Sequence, residues 1–323
     1  MNWSTKKKTA PRAPAKARDL PLPAAMIEIE PGFVMGSRIG GQPKPGLRRL
    51  SVTALSGDIV NPSPILPNVS NPSALGEAIR KAVRSIGGGR TGLILPDGAV
   101  RVSVLEFETL PAKPKEMESL LRWRIKEGLG FSPESARLSY QQIRGAEGRI
   151  EVLVAAVKPE VMAQYEAAIE AVRGVPVLAL PATLALLPLL SEDEPGGQLL
   201  THVCSGWVTH AVVEGPRLRL WRTRELGRGG AAAETEEVVS EAARAAASTR
   251  DRLGLEIRKA WLCSRPMAAD GLKSALSPAV GLAVEDLEVG KNLGAGLDPG
   301  EQPLFGMFAA PLAGLISNAG RAQ

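Results

Sequence analysis

The sequence is poor in the residue types that most often carry chemistry. Its 323 residues include two histidines, two cysteines and only 4% aromatics. So few rings exclude the stacked platforms on which single-stranded nucleic acid binds. Cys204 and Cys263 lie far apart inside apolar runs, without metal-ligand spacing, and read as two buried free thiols. His202 and His210 are eight residues apart and have no convergent partners for a metal site or a His-Ser-acid triad. No long hydrophobic run is present either. The longest, 175–190, is broken by Pro176, Pro181 and Pro188 and is too short to span a bilayer. The basic start runs into Pro and Ala rather than an apolar core, so no secretory signal is expected. Together these absences predict a soluble, cytoplasmic chain.

Phosphate-loop signatures are also missing. Gly87-Gly88-Gly89-Arg90 follows a predicted helix and lacks the Lys-Ser/Thr of a Walker A loop, so it reads as a helix-ending turn. Gly227-Arg228-Gly229-Gly230 reads as a flexible turn. The net charge of +5 is not spread over a basic groove. Lys6, Lys7, Lys8, Arg12, Lys16 and Arg18, against Asp19 alone, place all of it in residues 1–25. That Pro- and Ala-rich tail has little to bury and is expected to be disordered. A sharper reading gives Lys6, Lys7 and Lys8 contact with an anionic membrane, with Trp3 as an interfacial anchor. A nucleic-acid adaptor role would rest on this tail alone.

What remains is ordinary for a globular chain, with 44% hydrophobic and 23% charged residues and length for two lobes. Strand-like runs at 26–30, 33–39 and 47–55 precede a helix over 73–85, for which Ser73 is the expected cap. Strands follow at 91–95 and, after an Asp97-Gly98 turn, 100–107. Next comes an α-β-β-α pattern: helix 115–129, strands 137–143 and 150–157 joined through Gly145 and Gly148, and helix 160–172. A strand at 175–180 and a short helix at 182–190 close the first half. Beyond the acidic boundary 191–197, strands at 199–203, 208–213 and 218–225 repeat the three-strand opening. A helix over 234–253, a strand at 259–263, a helix at 268–276, a strand at 284–287 and a helix at 306–316 complete the pattern. The division implied is a tail (1–25), first-lobe core (26–107), inserted subdomain (108–174), return to the core (175–195) and second lobe (196–320).

Several segments carry a family resemblance. They are Leu93-Ile94-Leu95-Pro96-Asp97-Gly98-Ala99-Val100, Leu110-Pro111, the helix entered through Glu116-Met117-Glu118, Gly130-Phe131-Ser132-Pro133, Leu138-Ser139-Tyr140-Gln141 and the Ala-Ala-Val-Lys-Pro end of the strand before Pro159. In this order the chain resembles the PilM-like type IV pilus assembly proteins of the actin/FtsA ATPase superfamily. The likeness runs over about residues 26–318 and is strongest over 91–182. It implies an α/β, actin-like (ribonuclease H-like, duplicated) two-lobe fold with an inserted α-β-β-α subdomain and a reduced second lobe, since 227–258 has room for one long helix.

The departures from the family pattern are as informative. Its first phosphate loop, Asp-Ile-Gly-Ser-Ser-Ser-x-Lys, is matched by Glu28-Ile29-Glu30-Pro31-Gly32-Phe33-Val34-Met35. Glu28 keeps a carboxylate, Glu30 opposes phosphate, Pro31 removes an amide donor and Met35 replaces the lysine. The second loop, Asp-Ile-Gly, is matched by His202-Val203-Cys204-Ser205-Gly206-Trp207, where the acid is gone and Trp207 is bulky. The third, a Gly-rich turn for the nucleoside, is matched by Ser264-Arg265-Pro266. The resemblance therefore implies a pseudo-ATPase with no cofactor. It would bind the cytoplasmic peptide of a PilN-like membrane protein and work with the pilus motor ATPase at the inner membrane. A type II secretion module of the same fold normally continues into a transmembrane helix, and no such run occurs in these residues. The enzyme alternative, a divergent ATPase or sugar kinase, requires Glu28 or Asp97 to act on Mg·ATP. Trp123, among the charges of helix 115–129, is the candidate partner contact, its bland alternative being packing on Phe131. Arg217, Arg219, Trp221, Arg222 and Arg224 form a basic strand expected to face solvent.

Overall fold

A computed structural model describes residues 22–40, 46–144, 148–227, 230–265 and 271–321. The tail with Trp3, Lys6, Lys7 and Lys8, most of the 145–148 turn, Arg228-Gly229 and the expected helix start at 268–270 lie outside them.

Two five-stranded mixed sheets share one plan. In the first lobe, β1 (Ala25–Glu30), β2 (Phe33–Gly40) and β3 (Gly46–Ala54) form an antiparallel meander. After α1 (Pro72–Ile86), β4 (Arg90–Leu95) and later β8 (Val175–Pro181) add in parallel, giving the order β3-β2-β1-β4-β8. In the second lobe, β9 (Gly197–Cys204), β10 (Trp207–Glu214) and β11 (Arg217–Glu225) repeat the meander. Helix α5 (Ala231–Leu253) leads to β12 (Ile257–Arg265), and α6 (Leu272–Val280) to β13 (Val284–Asp286), giving β11-β10-β9-β12-β13. The duplication is thus explicit in topology. Among the described residues α5 is the one helix between β11 and β12.

Both faces of β1 are covered, which is why all six of its residues are buried. Ala25, Ile27 and Ile29 pack with α1, while Met26 faces the other core. Period-2 alternation then puts Glu28 and Glu30 on the Met26 side. Helix α1 is capped by Asn71, whose side chain accepts from the Ala74 amide, and not by Ser73. Pro72 is the reason: it fits the first helical position, so the cap must precede it.

The insert differs from its sequence pattern at both ends. Its antiparallel sheet, β5-β7-β6, includes β5 (Arg101–Phe107) beside β6 (Arg137–Arg144) and β7 (Ile150–Val157). Residues 97–99 form a 3₁₀ turn that redirects the chain out of the first-lobe sheet, rather than a hairpin returning β5 to it. Helix α2 (Pro114–Leu129) packs Met117, Leu121, Ile125 and Leu129 on this sheet. By contrast, α3 (Pro159–Glu170) turns Val161, Met162, Tyr165 and Ile169 into the first-lobe core against α1. The insert is β-α-β-β, and α3 belongs to the lobe.

The expected single C-terminal helix is two, α7 (Gln302–Phe308) and α8 (Ala310–Arg321). Leu312, Leu315 and Ile316 cover the Met26, Met35 and Ile94 face, beside α4 (Ala182–Leu186). No helix among the described residues is long and apolar enough to cross a membrane. The α4–α8 contact is as close as backbones allow: a Cβ on Gly314 would lie 2.0 Å from the Ala185 carbonyl oxygen. Gly314→Ala should therefore lower unfolding free energy by about 2 kcal/mol or more. Gly306→Ala, in open space on α7, should raise it by roughly 0.5–1 kcal/mol. Urea denaturation of the two variants checks both signs.

Candidate functional site

Strands β1, β4, β9 and β12 end at the junction of the lobes, the side of an open α/β sheet where ligands bind. Here the structure gathers Glu28 and Glu30 from β1, Asp97 after β4, His202 and Cys204 from β9, and Arg265, the last residue of β12. All six are buried. Arg265 places Nη1 2.7 Å from Glu28 Oε1 and Nη2 3.9 Å from Glu30 Oε1. Its Nε donates to His202 Nε2 at 3.1 Å and its Nη1 to the Phe308 carbonyl at 3.0 Å. Asp97 accepts from the Thr183 amide at 2.9 Å, from the Thr183 hydroxyl, and from Thr209 Oγ1 at 2.8 Å. His202 Nδ1 lies 2.7 Å from Thr183 Oγ1 and 3.3 Å from Asp97 Oδ2.

These contacts fix protonation states. A guanidinium only donates, so His202 Nε2 must accept, and the ring proton sits on Nδ1. The bonds then run Arg265 to His202 to Thr183 to Asp97, each group donating to the next. A second proton on His202 would point at Arg265. Burial and that neighbouring charge lower its pKa, against the pull of Asp97. Burial pushes the Asp97 carboxyl up, but His202 and the two Thr183 bonds hold it below its ordinary value. Burial raises Glu28, with Arg265 opposing. Burial and then Glu28 raise Glu30 well above the usual carboxylate range, with Arg265 opposing. Burial opposes the charge on Arg265, but Glu28 and the other neighbouring groups together raise its pKa, so the guanidinium stays charged.

Met35 is a core residue opposite Glu28. Ser264 lies beside Arg265 and pairs with Val203. Cys204 is 3.8 Å from Arg265 Nη2, and burial keeps its thiol protonated; Cys263 is pushed up to about 11. His202 and His210 pair with Thr209 and Thr201 respectively across adjacent strands, so they point to opposite faces and form no joint site. Burial lowers His210 to about 4, and its Nδ1 meets Thr201.

Both hairpins close in two residues. Pro31-Gly32, with Gly32 at φ 97°, is a turn of type II composition, and Ser205-Gly206, with φ 48° and 79°, is type I′. Trp207 lies so close on the Asp97–Ala99 turn that a Cβ at Gly98 would be 2.6 Å from its ring. Beside the hairpins, a cavity of about 460 Å³ is lined by Pro31, Phe33, Val52, Ala54, Ser205 and Phe308.

Two surface expectations resolve differently. Trp123 is 70% exposed and so does not pack on Phe131. Ile65 and Leu66 are also exposed, and Ile65 abuts Gly130 at the end of α2. The basic strand divides: Arg222 and Arg224 are exposed as expected, whereas Arg217 and Arg219 are largely covered. Arg219 Nε is 3.3 Å from Glu151 and its Nη1 2.6 Å from Glu214, while Arg217 reaches Glu151 at 3.6 Å. Arg222 and Arg224 pair with Glu241 on α5. The acidic partners sit on other elements.

The residues that sequence reasoning missed are Arg265, Thr183 and Thr209. Arg265 had one signal, a charge at the end of an apolar strand. Because removing one partner leaves a buried charge, Arg265→Gln should cost about 3–5 kcal/mol. Adding Glu28→Gln should recover part of that loss. A double-mutant cycle by urea denaturation gives the coupling, and additive effects would show that the pair does not act as one.

No protein-family model and no curated protein matches this chain. Among solved structures the fold is that of the actin-like ATPases. A protein of that fold and unknown function from Bacteroides thetaiotaomicron is 11% identical, with 81% of this chain and 89% of that chain covered and a TM-score of 0.51. A chain of the PilM-PilN type IV pilus biogenesis complex is 20% identical, with 92% and 98% covered and a TM-score of 0.74. The cytoplasmic domain of EpsL, an inner membrane component of the type II secretion system of Vibrio cholerae, gives 10%, 74% and 81%, with a TM-score of 0.47, too slight to build on.

Proposed function

We propose that this chain is a non-catalytic, PilM-like cytoplasmic scaffold that binds the cytoplasmic peptide of a PilN-like membrane protein in a type IV pilus or pseudopilus assembly platform. The observation that carries the reading is the match, over nearly all of both chains, to a chain of a PilM-PilN complex. The peptide would lie between the first-lobe core and the insert, where Ile65 touches the end of α2 and Lys158 donates to the Ile65 carbonyl at 3.2 Å. Ile65 and Leu66 offer exposed apolar area there, and Trp123 is exposed on α2 itself. An extended peptide gains affinity there from main-chain hydrogen bonds and specificity from side-chain pockets.

The fold family implies Mg·ATP, and the residues at the strand ends fit it poorly. A metal-bound triphosphate needs free carboxylates, convergent amides and space. Glu28 is tied to Arg265, Asp97 is saturated by Thr183 and Thr209, Pro31 has no amide proton, and Trp207 covers Gly98. A divergent ATPase or sugar kinase would have to break this network first.

Thermal-shift titration with Mg·ATP into the millimolar range should give no saturable rise in melting temperature. A rise abolished by Glu28→Ala would overturn the non-catalytic assignment.

A PilN-like N-terminal peptide from the same genome should bind without nucleotide in calorimetry. Trp123→Ala should weaken it roughly ten-fold or more, and Trp207→Ala should not. Absence of binding to the intact chain sinks the scaffold reading; unchanged binding by Trp123→Ala removes that residue from the groove.

A further inference from the structure

A second cleft, of about 360 Å³, opens between the insert and the second lobe. Its size falls within the roughly 300–1,000 Å³ of small-molecule sites. The walls are β5, β7 and the end of α2 on one side, and β11 and α5 on the other. Three guanidiniums line it, Arg101, Arg222 and Arg224, against one carboxylate, Glu241. Both Glu241 oxygens are already taken: Arg222 donates to Oε2 at 3.0 Å, and Arg224 at 2.9 Å and Arg244 to Oε1. Farther along the same seam, Arg217 and Arg219 are neutralised by Glu106, Glu151 and Glu214. Arg101 is not. Its Nε is buried without an acceptor among the described residues, and no carboxylate among them pairs with it. Burial lowers its pKa, yet a guanidinium remains charged.

We propose that this cleft is a binding site for a small oxyanion, a carboxylate or phosphate group seated on the Arg101 guanidinium. The orphaned Nε shows that Arg101 has no internal partner among the described residues, and an oxyanion in the cleft would supply its guanidinium with an acceptor. Guanidinium matches both oxyanions in bidentate geometry, and the excess of positive charge at the lining draws anions in. Ser103 and Thr223 add hydroxyls to the walls. The carbonyl end of α2 also reaches the cleft at Gly128 and Leu129 and opposes a bare anion. A ligand bearing a hydroxyl or amino group beside its oxyanion is therefore favoured over simple phosphate. Thr223 Oγ1 lies 3.1 Å from Thr209 Oγ1, which donates to Asp97, so the cleft adjoins the interlobe network.

Calorimetric titration of the full chain at low salt with citrate, which carries carboxylates and a hydroxyl, and with pyrophosphate separates the two sources. Saturable binding of citrate, stronger than of pyrophosphate, is expected. Affinity should fall roughly ten-fold or more in Arg101→Gln, less in Arg101→Lys, and not at all in Arg84→Gln on the exposed face of α1. Melting curves confirm that each variant is folded. Pyrophosphate binding that is stronger than citrate and lost in Arg101→Gln assigns the site to phosphate. Absence of binding by both probes, or equal binding by wild type and Arg101→Gln, overturns the proposal.

Discussion

The ion pair between Arg265 and Glu28 is the contact on which the arrangement of the lobes depends. It joins the last residue of β12 to the middle of β1 at 2.7 Å, with both side chains buried. Removing two charges from water is expensive, and a buried pair survives only when its remaining donors are also satisfied. Arg265 meets that condition on its side by spreading its donors over Glu28, His202 and the Phe308 carbonyl, whereas Glu28 Oε2 is left without a hydrogen-bond donor among the described residues. Once the guanidinium is fixed, the His202 tautomer follows, and with it the acceptor role of Asp97. Three carboxyls crowd one cation there; hydroxyl and amide donors saturate Asp97, while burial and the neighbouring Glu28 push Glu30 toward its neutral form.

A second clasp holds the insert. Arg217 and Arg219 on β11 reach Glu106 and Glu151 on the insert and Glu214 on β10. The insert is therefore attached to the second lobe by charge as well as to the first by chain. Helices α7 and α8 complete the assembly by covering the remaining face of the first sheet, with Phe308 contributing both its carbonyl to Arg265 and its ring to Phe33, 5.0 Å away.

Much of this fold was legible in the sequence because its signals are local. Alternation in β1 and β2, the apolar stripe of α2 and the repeated meander after residue 196 place the elements within a few residues. What was not legible depends on partners distant in sequence. Nothing local tells that β5 pairs with β7, or that α3 faces α1 instead of the insert. Glu30 and Trp207 stood out in the sequence, but the charge that Glu30 approaches did not, since Arg265 acquires meaning only when β12 lies beside β9. The same holds for Arg217 and Arg219, which look solvent-facing until Glu151 is placed opposite. Trp123 is the reverse case, where only its place in the fold separates a side chain left on the surface from one packed on Phe131.

The tie at the strand ends is covalently part of the chain, and that changes its thermodynamics. A cleft bridged by a diffusible ligand is stabilised by an amount that grows with the logarithm of ligand concentration. The bond from Arg265 to Glu28 contains no such term, because donor and acceptor are always present in equal number. Its own contribution is set by sequence, temperature and pH, and carries no dependence on the concentration of a second molecule. The anion proposed for the cleft beside Arg101 would act in the opposite way, through mass action.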